Sequence, residues 1–123
     1  MQNNTNTDIV DRYIATWNEA DDAKRRELVA QTFAAGARYV DPLVSSAGHA
    51  GIDAMIHTVQ GQFPGLVFVR AGKADQHGRY LRFSWKLGPV GGEAVAGGTD
   101  FAVVDLEGRL DSVTGFLDFV PDR

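Results

Sequence analysis

The chain is 123 residues long, 44% hydrophobic and 23% charged, with a formal net charge of -4 and no cysteine. That is enough for one domain with a sizeable core and too little for two. The acidic balance argues against nucleic acid or an anionic membrane as the main partner, and the missing cysteine excludes disulfides, thiol catalysis and cysteine metal sites.

The opening stretch, Met1 to Thr7, is polar with no basic start and no apolar segment, and reads as a disordered tail and not a signal peptide. No apolar run approaches a membrane span, so a cytoplasmic location is the default expectation. Asp8 to about Ala20 has helical spacing: Ile9, Tyr13 and Trp17 recur every four residues, with Val10 and Ile14 beside them. Asp8 and Asp11 fall in its first turn, where acids complement the helix dipole. A second helix is expected from Asp21-Asp22, burying Leu28, Val29, Thr32 and Phe33 and ending at Gly36. Lys24-Arg25-Arg26 then forms its solvated face. Ala37 to Pro42 is extended by pattern, and Leu43 to Ala50 is a loop of small residues. Gly51 to Gln62 carries Ile52, Met55, Ile56 and Val59 at helical spacing, followed by Phe63, and Pro64-Gly65 stops it.

From there the pattern turns to strands. Leu66 to Gln76 and Arg79 to Leu87 pair around a His77-Gly78 turn. In the second strand Leu81, Phe83, Trp85 and Leu87 oppose Tyr80, Arg82, Ser84 and Lys86. A glycine-rich connection at 88–92 leads into a strand from about Glu93 to Val104, with a bulge expected at Gly97-Gly98. Asp105 to Gly108 turns the chain into a last strand, Leu110 to Val120. Three helices followed by a strand meander define a single α+β domain, its helices on one side of an antiparallel sheet.

Three polar groups stand out. Proline restricts the residue before it to extended backbone, so Asp41 is held at a strand end beside Pro42. A carboxylate fixed there is either a poised base or the opening of a turn. Tyr13 lies on the apolar stripe of the first helix, where a buried phenol needs a partner: it is either a core tyrosine or a donor to a substrate oxygen. Trp17, one turn on, is pocket wall or core. Asp100 sits in the apolar run Gly97-Gly-Thr-Asp-Phe-Ala-Val-Val104. Facing solvent it carries no meaning; facing a dry cavity its pKa rises, and once protonated it can donate a hydrogen bond.

The histidines offer less. His57 falls opposite the apolar stripe of the third helix, His77 at a hairpin tip and His49 in the loop after Pro42, and their spacing matches no common zinc pattern. The glycines of 88–98 lack the Gly-Lys-Ser/Thr and the following helix of a phosphate loop. None of the four serines lies in a Gly-x-Ser-x-Gly elbow. No cofactor and no metal is expected.

Arg12-Tyr-Ile-Ala-Thr-Trp-Asn-Glu-Ala-Asp21, Tyr39-Val-Asp-Pro42 and Thr99-Asp-Phe-Ala-Val-Val-Asp-Leu-Glu-Gly108 together resemble the nuclear-transport-factor-2-like superfamily, in its SnoaL-like and ketosteroid-isomerase-like branch, in an order that covers nearly the whole chain. The resemblance implies a cystatin-like cone: three helices closing a strongly curved antiparallel (mixed) sheet around a pocket, and commonly a homodimer through the outer sheet face. It places Asp41 at the isomerases' general base, Tyr13 at their oxyanion-hole tyrosine and Asp100 at their oxyanion-hole aspartic acid. In those enzymes a base moves a proton alpha to a carbonyl while tyrosine and neutral acid stabilise the dienolate.

Two departures accompany it. The isomerases support their tyrosine with another from the third helix, and Gly51 to Gln62 contains none. The superfamily's cyclases and epoxide hydrolases carry an acid on the last strand where Gly115 falls here; Val113, Gly115, Leu117 and Phe119 form the more apolar set, which turns Asp118 outward unless a bulge slips the register.

The expected function is therefore that of a pocket protein for a small hydrophobic molecule, and the resemblance implies a cofactor-independent, ketosteroid-isomerase-like proton transfer on a carbonyl compound. Asp41 is the base, Tyr13 and Asp100 are the donors, and Trp17, Tyr39, Met55, Phe63 and Trp85 are the walls. The alternative is a non-catalytic binding or dimerisation module, and a SnoaL-like polyketide cyclase stands third.

Overall fold

The computed structural model describes residues 5–120. Among these the chain forms α1 (Thr5–Asn18), α2 (Asp22–Thr32), β1 (Phe33–Val40), β2 (Ser45–Ala47), α3 (Gly48–Gln62), β3 (Leu66–His77), β4 (Tyr80–Pro89), β5 (Ala96–Val104) and β6 (Leu110–Phe119). The strands make one sheet in the order β2-β1-β6-β5-β4-β3. β3 to β6 is an antiparallel meander, and β1 lies parallel to β6, so the sheet is mixed. It is strongly curled without closing, and the helices pack on it. The α+β cone expected from the sequence is the fold observed.

The apolar stripes account for the packing. Ile9, Val10, Tyr13 and Trp17 from α1 and Ile52, Met55 and Ile56 from α3 bury against Phe33, Ala37 and Tyr39 of β1. Leu81 and Phe83 of β4, Ala102 and Val104 of β5, and Leu110 and Val113 of β6 complete the core. Asn18 closes the end of α1 onto the sheet edge. Its amide donates to the Phe68 carbonyl and accepts from the Phe68 N–H, both at 2.8 Å.

Several boundaries differ from the sequence reading. α1 starts at Thr5, inside the stretch read as tail, and stops at Asn18; residues 1–4 lie outside the described residues. α2 does not run to Gly36. It ends at Thr32, because Phe33 is already extended (φ -110°, ψ 143°) while its N–H still bonds the Val29 carbonyl. One fully buried residue thus caps the helix and begins the strand, and Gly36 lies inside β1. The 43–50 loop contains the short β2, paired with Arg38 to Val40, and α3 begins at Gly48, where φ is +76°.

Arg25 is the largest correction. It is only 2% exposed, not on a solvated face. Its Nε donates to Asp53 and its Nη2 to Asp22, each at 2.8 Å, and its Nη1 to the Glu19 carbonyl and Gln60 Oε1 at 3.3 Å. Gln60 in turn donates to the carbonyls of Trp17 and Glu19, so this network satisfies the carbonyl end of α1 and ties it to α2 and α3. The expected bulge is present: the β5–β6 register shifts between Gly97 and Gly98.

Candidate functional site

Tyr13 reaches the site from the buried face of α1. Its ring meets Phe83 edge-on at 5.1 Å and Phe33 at 5.9 Å, which fixes the phenol's direction. Its hydroxyl donates to Asp100 Oδ2 at 2.8 Å. Burial, and then the nearby Asp100 charge, push the Tyr13 pKa well above its ordinary value.

Asp100 faces inward because β5 alternates: Asp100 and Ala102 are buried while Phe101 between them is 41% exposed. Asp100 is 2% exposed. Desolvation raises its pKa to about 6, against the opposing pull of hydrogen bonds from Tyr13 and Trp85. The Trp85 indole N–H donates to Asp100 Oδ1 at 3.3 Å.

Asp41 enters from the end of β1. Its Oδ1 accepts the backbone N–H groups of Leu43 and Val44 at 2.8 and 2.9 Å, and its own N–H donates to the Val44 carbonyl at 2.9 Å. The turn-opening role read from the sequence is therefore real. The second oxygen does something else: Asp41 Oδ2 accepts the Tyr39 hydroxyl at 2.6 Å. Tyr39 and Asp41 are two apart in extended chain and share a face. Burial first, then the charge of Asp100, then the bond to Asp41 raise the Tyr39 pKa far above its usual range.

The two tyrosine–aspartate pairs meet at Gly115. A β-carbon on Gly115 would lie 2.9 Å from Asp100 Oδ1, 3.2 Å from the Asp41 β-carbon and 3.6 Å from the Tyr39 hydroxyl. Gly115 pairs directly with Asp100 across β5 and β6. The missing side chain is what lets both acids turn into one volume. Asp118 is exposed and accepts from Thr99 at 2.8 Å on the outer face, as the alternation implied.

The proposed walls divide. Trp17 packs on Tyr39 at 5.8 Å and on Phe68 at 5.4 Å, and Phe68 packs on Trp85 at 5.3 Å, which makes an aromatic chain around the acids. Met55 belongs to the buried core. Phe63 is half-buried at the C-cap of α3, outside that core cluster.

Two roles escaped the sequence reading. Tyr39 is a polar partner of Asp41 and not only a ring packed on Trp17, and the signal was its spacing two residues before the acid. Phe68 joins Trp17 to Trp85, but Leu66 to Val69 is apolar throughout, so alternation gives no hint of which residue turns in.

His49 is not at the acids: its Nε2 lies 2.8 Å from the Phe33 carbonyl oxygen. His57 is 67% exposed, and His77 packs beside Tyr80 at 5.7 Å. Among the described residues, no group of three or more histidines and acids is placed to hold a metal, and no helix is long and apolar enough to cross a membrane. Two open surface clefts lie away from the acids, one lined by Arg12, Gln31, Glu107 and Arg109, the other along Val67, Val69, Lys86 and the 88–92 connection.

Comparison with solved structures places the chain in a family. A proposed isomerase of the SnoaL-like family from Agrobacterium tumefaciens is 48% identical, with a TM-score of 0.89, over 94% of this chain and 99% of that one. The chain belongs to the SnoaL-like family, with the nuclear-transport-factor-2-like fold. Two more distant structures share the fold alone. A proposed SnoaL-like polyketide cyclase from Jannaschia sp. CCS1 is 17% identical, with a TM-score of 0.72 over 93% of this chain and 85% of that one. A protein of ketosteroid-isomerase-like fold from Catenulispora acidiphila, in complex with trimethylamine, is 16% identical, with a TM-score of 0.69 over 87% and 82%. No protein-family model and no curated protein matches the chain.

Proposed function

We propose that this protein is a cofactor-independent isomerase that moves a proton alpha to the carbonyl of a small hydrophobic compound. One observation carries the reading: two acids of different environment, each bonded to its own tyrosine, converge on the side-chainless Gly115. Asp41, half-buried beside the 41–44 turn, is the base. Its carboxylate takes the alpha proton, the C–H electron pair becomes the carbon–carbon double bond of the enolate, and the carbonyl oxygen becomes the oxyanion. In a β,γ-unsaturated substrate the enolate is conjugated with that second double bond, and the same carboxylate returns the proton at the gamma carbon, which leaves the α,β-unsaturated carbonyl.

The donors to that oxyanion are Tyr13 and protonated Asp100. With a pKa of about 6, Asp100 is ionised in most ligand-free molecules at pH 7, and Tyr13 then donates to it. Protonation of Asp100, in roughly one molecule in ten at that pH, gives the competent form. Developing negative charge on the ligand draws that proton in. Tyr39 orients the base, through its bond to Asp41, and Tyr13, without a third-helix tyrosine, is held by the rings of Phe33 and Phe83.

Gly115 argues against the cyclase reading. An acid side chain there would occupy the volume already taken by Asp100 and Asp41. A homodimer through the outer sheet face is part of the proposal, supported by Tyr80 stacked on Phe101 at 6.0 Å and by Phe116, which is 59% exposed. The test is exchange of alpha protons for deuterium in heavy water, read by NMR on a panel of aryl and cyclic ketones, with the native protein and with Asp41→Asn. Exchange by the native protein that is lost in Asp41→Asn supports the isomerase. Equal rates in both would leave the non-catalytic binding module.

A further inference from the structure

A donor and acceptor count around the two acids shows what the site lacks. Both oxygens of Asp100 accept bonds, from Tyr13 and Trp85, and both oxygens of Asp41 accept bonds, from Tyr39 and the backbone of Leu43 and Val44. The protons of Tyr13, Tyr39 and Trp85 are thereby committed. The Trp17 indole N–H is not. Trp17 is 7% exposed, and its Nε1 is fully buried with no partner in hydrogen-bond geometry among the described residues. Its neighbour is the Tyr13 hydroxyl, to which it is at most a weak donor: the contact only slightly offsets the upward push that burial and Asp100 give that phenol, and it does not meet hydrogen-bond geometry. A buried donor without an acceptor is rare in folded proteins, and it disfavours the empty state relative to one that offers an acceptor.

We infer that Trp17 Nε1–H is a ligand-binding donor, which donates to the carbonyl oxygen or to a second acceptor oxygen of the ground-state ligand, before Asp100 is protonated and Tyr13 turns from it to the oxyanion. The inference rests on the reading that these residues form the ligand site, and it narrows the ligand class. A pure hydrocarbon leaves the indole orphaned, whereas a ketone, ester or carboxylate satisfies it. The Trp17 ring is already held against Tyr39 and Phe68, so the donor is aimed in advance and little freedom is lost on binding. A site built around a buried donor discriminates sharply against analogues that lack the matching acceptor.

The test compares acetophenone with alpha-methylstyrene, which replaces the carbonyl by a methylene of the same shape. The Trp17 indole resonance is followed in 15N-labelled protein as each is added. The expected result is a saturable downfield shift of the Trp17 N–H proton with acetophenone and not with alpha-methylstyrene, and affinity roughly tenfold or more higher for the ketone. Trp17→Phe, which keeps an aromatic ring and removes the N–H, should abolish that preference. Equal affinity for the two compounds overturns the inference, as does a Trp17 resonance that no acceptor moves; both are read on the native protein, so they hold even if Trp17→Phe does not fold. Loss of the Trp17 shift with alpha-proton exchange intact sinks this inference alone. The shift without exchange sinks the isomerase reading alone.

Discussion

Tyr13 and Asp100 stand 87 residues apart in the chain and 2.8 Å apart in the fold. The bond joins the first helix to the fifth strand and leaves a carboxyl buried with no cation beside it among the described residues. Its partners are neutral donors, and the charges that act on it, Asp41 and Asp118, are both negative.

That arrangement makes stability depend on pH. The Asp100 pKa is raised in the folded state to about 6 from 3.8, so the folded state holds the proton more tightly than the unfolded one. The stabilisation from the neutral carboxyl is full below the unfolded value and is lost as pH rises through about 6. The shift corresponds to about 3 kcal/mol. Urea unfolding of the native protein and of Asp100→Asn between pH 4 and 7.5 should show the native protein losing most of that relative to the variant. Parallel curves would mean that the acid is not desolvated.

The same proton sets activity. If protonated Asp100 is an oxyanion donor, kcat/KM for the proposed isomerisation should fall about tenfold per pH unit above the Asp100 midpoint. In Asp100→Asn, whose amide N–H₂ donates at any pH, that alkaline fall should disappear. A fall of the same slope in both proteins would assign the titration to another group.

Gly115→Ala should be costly for its size. The added methyl lies within 2.9 Å of Asp100 Oδ1 and 3.2 Å of the Asp41 β-carbon, so one acid must move. The expected loss is about 1–3 kcal/mol in urea unfolding. Displacement of Asp41 should slow alpha-proton exchange further. A variant with native stability and turnover would show that the acids do not share this volume.

Arg25→Ala tests the helical frame separately. Truncation leaves Asp53 and Gln60 without their buried partner, at an expected cost of about 3–5 kcal/mol. The Asp100 midpoint should not change in this variant if it folds, because the Arg25 network and the acid pairs share no hydrogen bond. Thermal unfolding with carboxyl NMR measures both.

Much of the frame is legible in the sequence because it rests on periodicity. Ile9, Tyr13 and Trp17 turn inward at helical spacing, and Asp100 follows the alternation that exposes Phe101. Long-range partnerships are not legible in this way. Arg25 lies four residues before the buried Val29, which hints at an inward face, but Asp53 is 28 residues away and only the packing of α2 on α3 joins them. Gly36 looks like a helix stop because glycine often is one. The strand begins earlier because Phe33 gains more from burial than from another helical turn. Tyr39 reads as a wall by composition, and its hydroxyl gains a partner only because Asp41 Oδ2 turns back to accept it.

The most direct measurement is carboxyl-carbon NMR titration of Asp100 in the ligand-free protein, with Asp100→Asn to assign the resonance. Its midpoint should lie near 6, about two units above an ordinary aspartate. A midpoint close to the ordinary value would contradict a desolvated Asp100 at Gly115, and with it the proposed division of roles between the two carboxyls.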